Sequence, residues 1–184
     1  LKDEDYLSAI ESYIDTLENH RALIIDIRGN DGGSDACWST IVSKLAKNDI
    51  TSTGYMLFRN NSPIIKNYLN KMEFSLEPVT KLPNEARENM PLETLDLFTN
   101  FTKIDKTIPR NNDCKFDGNI YLLVDNSVYS SSESFSIFCK DTGFATLIGE
   151  TTSGDGGGID PVLFYLKNSG LIVRMSSDMY ITSD

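Results

Sequence analysis

Hydroxyl side chains crowd one short stretch of this chain. In "LLVDNSVYSSSESFSIFCK", residues 122–140, an apolar run breaks into Ser127, Ser130, Ser131, Ser132, Ser134 and Ser136 just where helical spacing begins. A hydroxyl in the first turn of a helix that follows a strand lies in the positive field of the helix N-terminus, beside backbone N–H groups that lack partners. A serine so placed can attack a carbonyl carbon, and the N–H groups can hold the oxyanion that forms. A lone serine there reads as an N-cap, since serine is among the favoured capping residues. The cluster leaves capping and nucleophilic chemistry both open.

Two glycine-rich stretches carry the other candidate chemistry. In "DIRGNDGG", Gly29, Gly32 and Gly33 let the backbone turn sharply and present bare N–H groups to a ligand. The loop suits a phosphate or a carbonyl oxygen, but it has neither the lysine of a P-loop nor GxGxxG spacing, and a plain strand-to-helix turn stays open. In "GETTSGDGGGID", residues 149–160, Asp155 sits among glycines. Alone this stretch reads as a turn, and it lacks the spacing of a calcium-binding EF-hand loop.

The elements that must position these stretches follow from apolar periodicity. Leu7, Ile10, Ile14 and Leu17 recur at helical spacing ahead of "ALIIDIRG", whose residues 22–27 read as a buried strand. After the glycine turn, Cys37, Trp38, Ile41, Val42 and Leu45 fit one helical face, with Ser34 or Asp35 as N-cap. "TSTGYMLFR", "GNIYLLVDN" and "FATLIGE" read as strands, and "SSSESFSIFCKDTG" as a helix closed by Gly143. "DPVLFYLKNSGLIVRMSSDMY" reads as a hairpin turning at Asn168, Ser169 and Gly170. Residues 60 to about 118 are polar and proline-punctuated; they read as an insertion, part helical around "LETLDLFTNF", that covers the core rather than building it. Strands alternating with helices predict an α/β domain with a mainly parallel sheet.

Composition narrows the partners. With 184 residues and 40% hydrophobic content the chain can form one domain with a core. A formal net charge of −10 argues against nucleic acid or an anionic membrane surface, which require a basic face. No apolar run is long enough to span a membrane, and "LKDEDYLSAI" is acidic where a signal peptide would be basic. Cys37, Cys114 and Cys139 show no CxxC spacing, and Cys37 and Cys139 fall at apolar helix positions as expected of buried thiols. The only histidine, His20, excludes a two-histidine metal site within the chain and reads as a surface residue. Asn-x-Ser/Thr triplets at Asn60 and Asn100 matter only along a glycosylating secretory route.

Three stretches in order, each just after an apolar strand, resemble the S41 serine peptidases, which include C-terminal processing (tail-specific) proteases and tricorn-like proteases. The resemblance rests on "LIIDIRGNDGG", "YLLVDNSVYSSSESF" and "GFATLIGETTSGDGGG", and covers about residues 22–175 apart from the insertion. It implies a ClpP/crotonase-like core of ββα units, a serine-type endopeptidase or C-terminal processing activity on a peptide or protein substrate, and no cofactor. Carried across the motif, the nucleophile is Ser130, with Ser132 and Glu133 completing the S-x-S-E segment. Ser131 would give its backbone N–H to the oxyanion, with a second donor from Gly32 or Gly33. Asp31 stands where many members have glycine.

The match departs at the general base. Processing proteases of the family carry a lysine where this chain has Asp155. A buried lysine can be tuned to roughly pKa 7–8, whereas a carboxylate with a reference pKa of about 3.9 is a poor acceptor for a serine proton. Tricorn-like members use an earlier histidine, supported by a serine and a downstream glutamate, and His20 does not match that motif. The resemblance therefore implies a histidine before Leu1 and a glutamate beyond Asp184, making this chain the catalytic core of a longer peptidase. The chain begins at Leu1 without a methionine, and we expect a targeting segment upstream and an exported or cell-envelope location. No PDZ-like region is readable. Asp155 in place of lysine also motivates an alternative, a non-catalytic ligand-binding module like the retinoid-carrying domains that share the S41 architecture.

Overall fold

Serine at position 34 and glycine at position 143 mark the boundaries of two helices that pack together, and the strands between and after them complete the frame. The computed structural model describes residues 3–59, 62–88, 90–111 and 115–182. In chain order the elements are α1 (Asp3–Ile14), β1 (Ala22–Asp26), α2 (Asp35–Leu45), β2 (Ile50–Phe58), α3 (Pro63–Lys71), β3 (Glu77–Pro78), a 3-10 turn (Val79–Lys81), α4 (Asn84–Arg87), α5 (Leu92–Leu95) and β4 (Asn100–Ile108). There follow β5 (Asn119–Val124), α6 (Ser131–Thr142), β6 (Thr146–Gly149), β7 (Val162–Tyr165), β8 (Ile172–Met175) and β9 (Asp178–Thr182). They fall into two compact units, residues 1–52 with 105–156, and residues 53–104 with 157–184.

The first unit is the α/β part. Its sheet has the order β1-β5-β6, with both pairings parallel, as the strand–helix alternation predicts. Ser34 caps α2 by accepting from the Ala36 N–H, and Gly143 closes α6 in the left-handed conformation. Phe135, Phe138 and Cys139 recur at helical spacing on α6 and meet Trp38 and Val42 of α2. Trp38 stacks on Phe135 with ring centroids 5.6 Å apart. Leu122, Val124 and Val128 complete this cluster from β5 and the turn after it. Truncating Phe135 to alanine would remove on the order of 3–5 kcal/mol.

Two expectations change here. β1 was to be a buried strand, but it lies at the sheet edge: Leu23 is buried while Ile24 is 63% exposed. Of the two thiols expected inside, Cys139 is fully buried and Cys37 is only half-buried. Burial pushes the Cys139 thiol well above its ordinary pKa, so little thiolate forms. We predict that a thiol reagent at neutral pH modifies Cys37 in the native protein and reaches Cys139 only on unfolding. Equal rates under native conditions, read by peptide mass, would contradict the packing. Cys114 and the Asn60 triplet lie outside the described residues.

The second unit has a sheet in the order β3-β4-β2-β9, with β3–β4 and β2–β9 antiparallel, and a separate β7–β8 hairpin. The period of two along β2 sends Tyr55 and Leu57 into one buried cluster and Met56 and Phe58 into another. The stretch read as a cover supplies Leu82, Ala86, Leu95, Phe98 and Phe101 to the first of these. Helix around "LETLDLFTNF" is confined to α5, and Asn100 instead opens β4. The hairpin turns where expected, with the Gly170 N–H donating to the Leu166 carbonyl. Among the described residues no helix is long and apolar enough to cross a membrane.

Candidate active site

The chain leaves β5 at Val124 and must turn into α6 within a few residues. Asp125 begins the turn, its Oδ1 accepting from the N–H groups of Ser127 and Gly29, both at 3.0 Å. Val128 is fully buried and anchors it. Ser130 then sits at φ 57°, ψ −122°, a conformation that costs a residue with a side chain roughly 1–3 kcal/mol. Its N–H donates to the Gly154 carbonyl at 3.3 Å, and its own carbonyl accepts the first helical bond, from the Ser134 N–H at 2.9 Å. The side chain makes no capping bond. The hydroxyl is therefore free of the structural task that most often explains a serine at a helix start.

The glycine turn after β1 faces this serine. A Cβ on Gly32 would lie 2.8 Å from Ser130 Cβ, 2.9 Å from the Tyr129 carbonyl oxygen and 3.0 Å from the Ser131 nitrogen, and φ at Gly32 is +106°. Only glycine lets the two backbones come this close. The approach is fastened from both sides. Asn30 Oδ1 accepts from the Gly32 N–H at 2.9 Å and from Ser132 Oγ at 2.6 Å, while the Asn30 carbonyl accepts from the Tyr129 N–H at 3.2 Å. Ser131 Oγ donates to Asp35 Oδ1 at 2.6 Å.

Asp35 is the hub of this attachment. Trp38 Nε1 donates to its Oδ1 at 3.0 Å, and Lys106 Nζ reaches Oδ2 at 2.5 Å while lying 4.1 Å from the centre of the Trp38 ring. Burial alone would push the Asp35 carboxyl up, but the bonds from Lys106, Ser131 and Trp38 and the lysine charge outweigh it and hold the group below its usual range. A carboxyl whose pKa is depressed by folding contributes stability that is complete above its unfolded value and is lost as pH falls through the folded one. Because both side chains are partly exposed, the pair itself is worth about 1 kcal/mol or less. Lys106→Met is thus expected to lower the urea midpoint at pH 7. The gap to the wild type should narrow as pH falls below the usual carboxylate range and Asp35 takes up its proton, and a gap that does not narrow would show that the lysine acts through packing alone.

The third stretch closes the turn from the other side. The Ser153 N–H donates to the Val128 carbonyl at 2.9 Å, Ser153 Oγ to the Asn126 carbonyl, and Tyr129 forms a parallel bridge with Gly154. Ser134 Oγ donates to the Gly156 carbonyl at 2.6 Å. Gly156 packs on the buried side chain of Glu133, whose Cγ a Cβ at 156 would meet at 2.2 Å. Asp155 turns to Tyr129, and its Oδ2 accepts from the phenol hydroxyl.

The residues singled out from the sequence thus come together in one unit: Ser130, Ser131, Ser132, Glu133, Gly32, Gly33 and Asp155 all lie on three adjoining turns. Ser132 and Ser134 do not cap α6; both reach across to the flanking loops. His20 is exposed. Asn30, Asp35, Lys106 and Tyr129 were missed as partners of the site. The alternation in "NFTKIDKTI" would have revealed the strand that carries Lys106, but its exposed positions are polar and hide the signal.

A serine on a strained strand-to-helix turn is thus faced by a glycine loop within an α/β frame. The chain belongs to peptidase family S41, whose family model matches residues 3–184. No curated protein sequence matches the chain. Solved structures of like fold include a Parabacteroides merdae protein that carries a peptidase designation, with TM-score 0.62, 18% identity, 94% of this chain covered and 43% of that one. Mature CPAF gives TM-score 0.60 at 17% identity, over 94% of this chain and 38% of its own. The photosystem II D1 C-terminal processing protease gives 0.53 at 15% identity, over 99% of this chain and 36% of its own. The chain therefore spans less than half the length of each of these.

Proposed function

We propose that the chain holds the nucleophile and oxyanion hole of a serine endopeptidase or C-terminal processing peptidase. The observation that carries this reading is Ser130 itself: a strained residue at the start of α6, not engaged in capping, pressed against a glycine loop. Ser130 Oγ attacks the scissile carbonyl carbon as a base removes its proton. The carbonyl π electrons move onto oxygen, and that oxyanion accepts from the Ser131 N–H and from Gly33. Gly32 permits the close approach, but its own N–H is committed to Asn30. Collapse of the tetrahedral species expels the amine, which takes a proton from the protonated base, and leaves an ester on Ser130. Water then attacks that ester with the same base.

The base belongs to a part of the polypeptide other than these residues. Asp155, in the place of the family lysine, is engaged by Tyr129, and a carboxylate is poorly matched to a serine proton. Substrate is a peptide or protein chain. C-terminal processing stays beside endopeptidase activity because one structure of like fold is a C-terminal processing protease. The test is fluorophosphonate labelling with intact-mass detection, run on the 184-residue chain and on a form extended at both ends. Labelling at Ser130 in the extended form is the expected result. No labelling in either, while a control hydrolase reacts, overturns the reading in favour of the non-catalytic module that Asp155 motivates.

A further inference from the structure

The helix holds the strained turn at Ser130 through the backbone, the Ser130 carbonyl accepting from the Ser134 N–H, but the Ser130 side chain adds no capping bond. The segment lying against it, Ser153 to Asp155, is itself unusual: Gly154 has φ +91° and Asp155, with a side chain, has φ +62°. Two left-handed or otherwise strained backbones thus meet across the Tyr129–Gly154 bridge, and the Ser130 N–H to Gly154 carbonyl bond, at 3.3 Å, is a long one. Beside this bond a side-chain link runs from the hydroxyl of Tyr129, adjacent to the nucleophile, to the carboxylate of Asp155, adjacent to the acceptor of its N–H. A phenol donating to a carboxylate is a charge-assisted bond, stronger than the backbone bond beside it.

We propose that Tyr129 and Asp155 form a clamp that holds Ser130 in its reactive conformation, and that the aspartate at the lysine position is a positioning residue rather than a base. Asp155 tolerates its left-handed backbone because its short polar side chain suits that region, and it makes the phenol bond from that conformation. The clamp acts on Ser130 through two backbone neighbours, Tyr129 before it and Gly154 across from it. Its catalytic consequence rests on the peptidase reading; its structural consequence does not.

Both can be measured on the full-length protein with Tyr129→Phe, Asp155→Ala, Asp155→Asn and the Tyr129→Phe/Asp155→Ala pair. The first readout is hydrogen exchange at the Ser130 amide, which is independent of activity. Exchange should speed up in Tyr129→Phe and Asp155→Ala and stay closer to wild type in Asp155→Asn, whose amide oxygen still accepts the phenol proton. The second readout is the rate of fluorophosphonate labelling. Loss of a charge-assisted bond corresponds to about a tenfold slower rate in each single variant, and the pair should be no slower than the worse single one, since both remove one interaction. Asp155→Asn should lose no more than about threefold, because a neutral acceptor keeps a weaker bond. If Asp155→Asn slows labelling as much as Asp155→Ala while amide protection is intact, the carboxylate charge acts directly and the clamp is overturned. Unchanged amide exchange in both Tyr129→Phe and Asp155→Ala overturns it as well. A wild type that fails to label defeats the peptidase reading alone, and the exchange result still decides the clamp.

Discussion

Ser130→Ala and Ser130→Gly should both lose roughly 10⁴-fold or more of peptide hydrolysis in the longer protein, yet differ from each other in stability. Alanine keeps a Cβ at φ 57°, ψ −122° and so keeps the strain, whereas glycine is at ease there. Against roughly 1–3 kcal/mol of relieved strain stands about 0.5–1 kcal/mol of extra backbone entropy lost by glycine on folding, leaving about 1 kcal/mol in favour of the glycine variant. For a chain of this size that is a rise in Tm of about 2–4 °C. Calorimetry of wild type, Ser130→Ala and Ser130→Gly, beside a peptide-cleavage assay, checks both halves. Retained cleavage in the alanine variant would end the nucleophile assignment. A glycine variant no more stable than alanine would show that the turn stores no strain. The expected pattern, inactive and more stable, is that of a residue kept for chemistry at the expense of folding.

Gly32→Ala is the second large effect. The added methyl would meet three atoms at 2.8–3.0 Å, two of them backbone, and none can swing aside as a flexible side-chain end would. The glycine turn must then move away from Ser130 and Ser131, taking with it the Gly33 N–H proposed as an oxyanion donor. Stability should fall by about 2 kcal/mol from the clash and the positive φ together. Displacing one oxyanion donor should lower kcat by roughly 10²–10³ with a much smaller change in KM, since the interaction forms in the transition state. Gly33→Ala is the comparison: φ there is +140° but nothing lies within 4 Å of the added carbon. It should lose stability through strain and retain more rate than Gly32→Ala. Equal kcat values for the two alanine variants would mean that close approach at Gly32 is not what positions the donors.

Both predictions concern turns rather than elements. The frame was legible from local pattern: Leu7, Ile10 and Ile14 for α1, Trp38, Val42 and Leu45 for α2, and the apolar runs for β1, β5 and β6. Helix ends were equally local, because a serine cap at 34 and a left-handed glycine at 143 act within a turn of the residues they serve. The second unit was legible only in part. Strand β4 alternates, but with Lys103, Asp105 and Thr107 between its less exposed residues, and such a strand reads as loop until a partner strand is known.

The sequence by itself determined which residue types stand at which strand ends, and thereby the three turns and the serine among them, since apolar periodicity and glycine placement are local properties. Only the tertiary structure decided what those turns do to one another. Asn30 receives both Gly32 and Ser132, Asp35 joins Ser131 to Lys106, and Asp155 answers Tyr129. Each of these links but the Asn30–Gly32 bond spans dozens of residues of chain. Their partners are set by how parallel strands bring distant turns to one end of a sheet, a geometry that no spacing along the chain encodes.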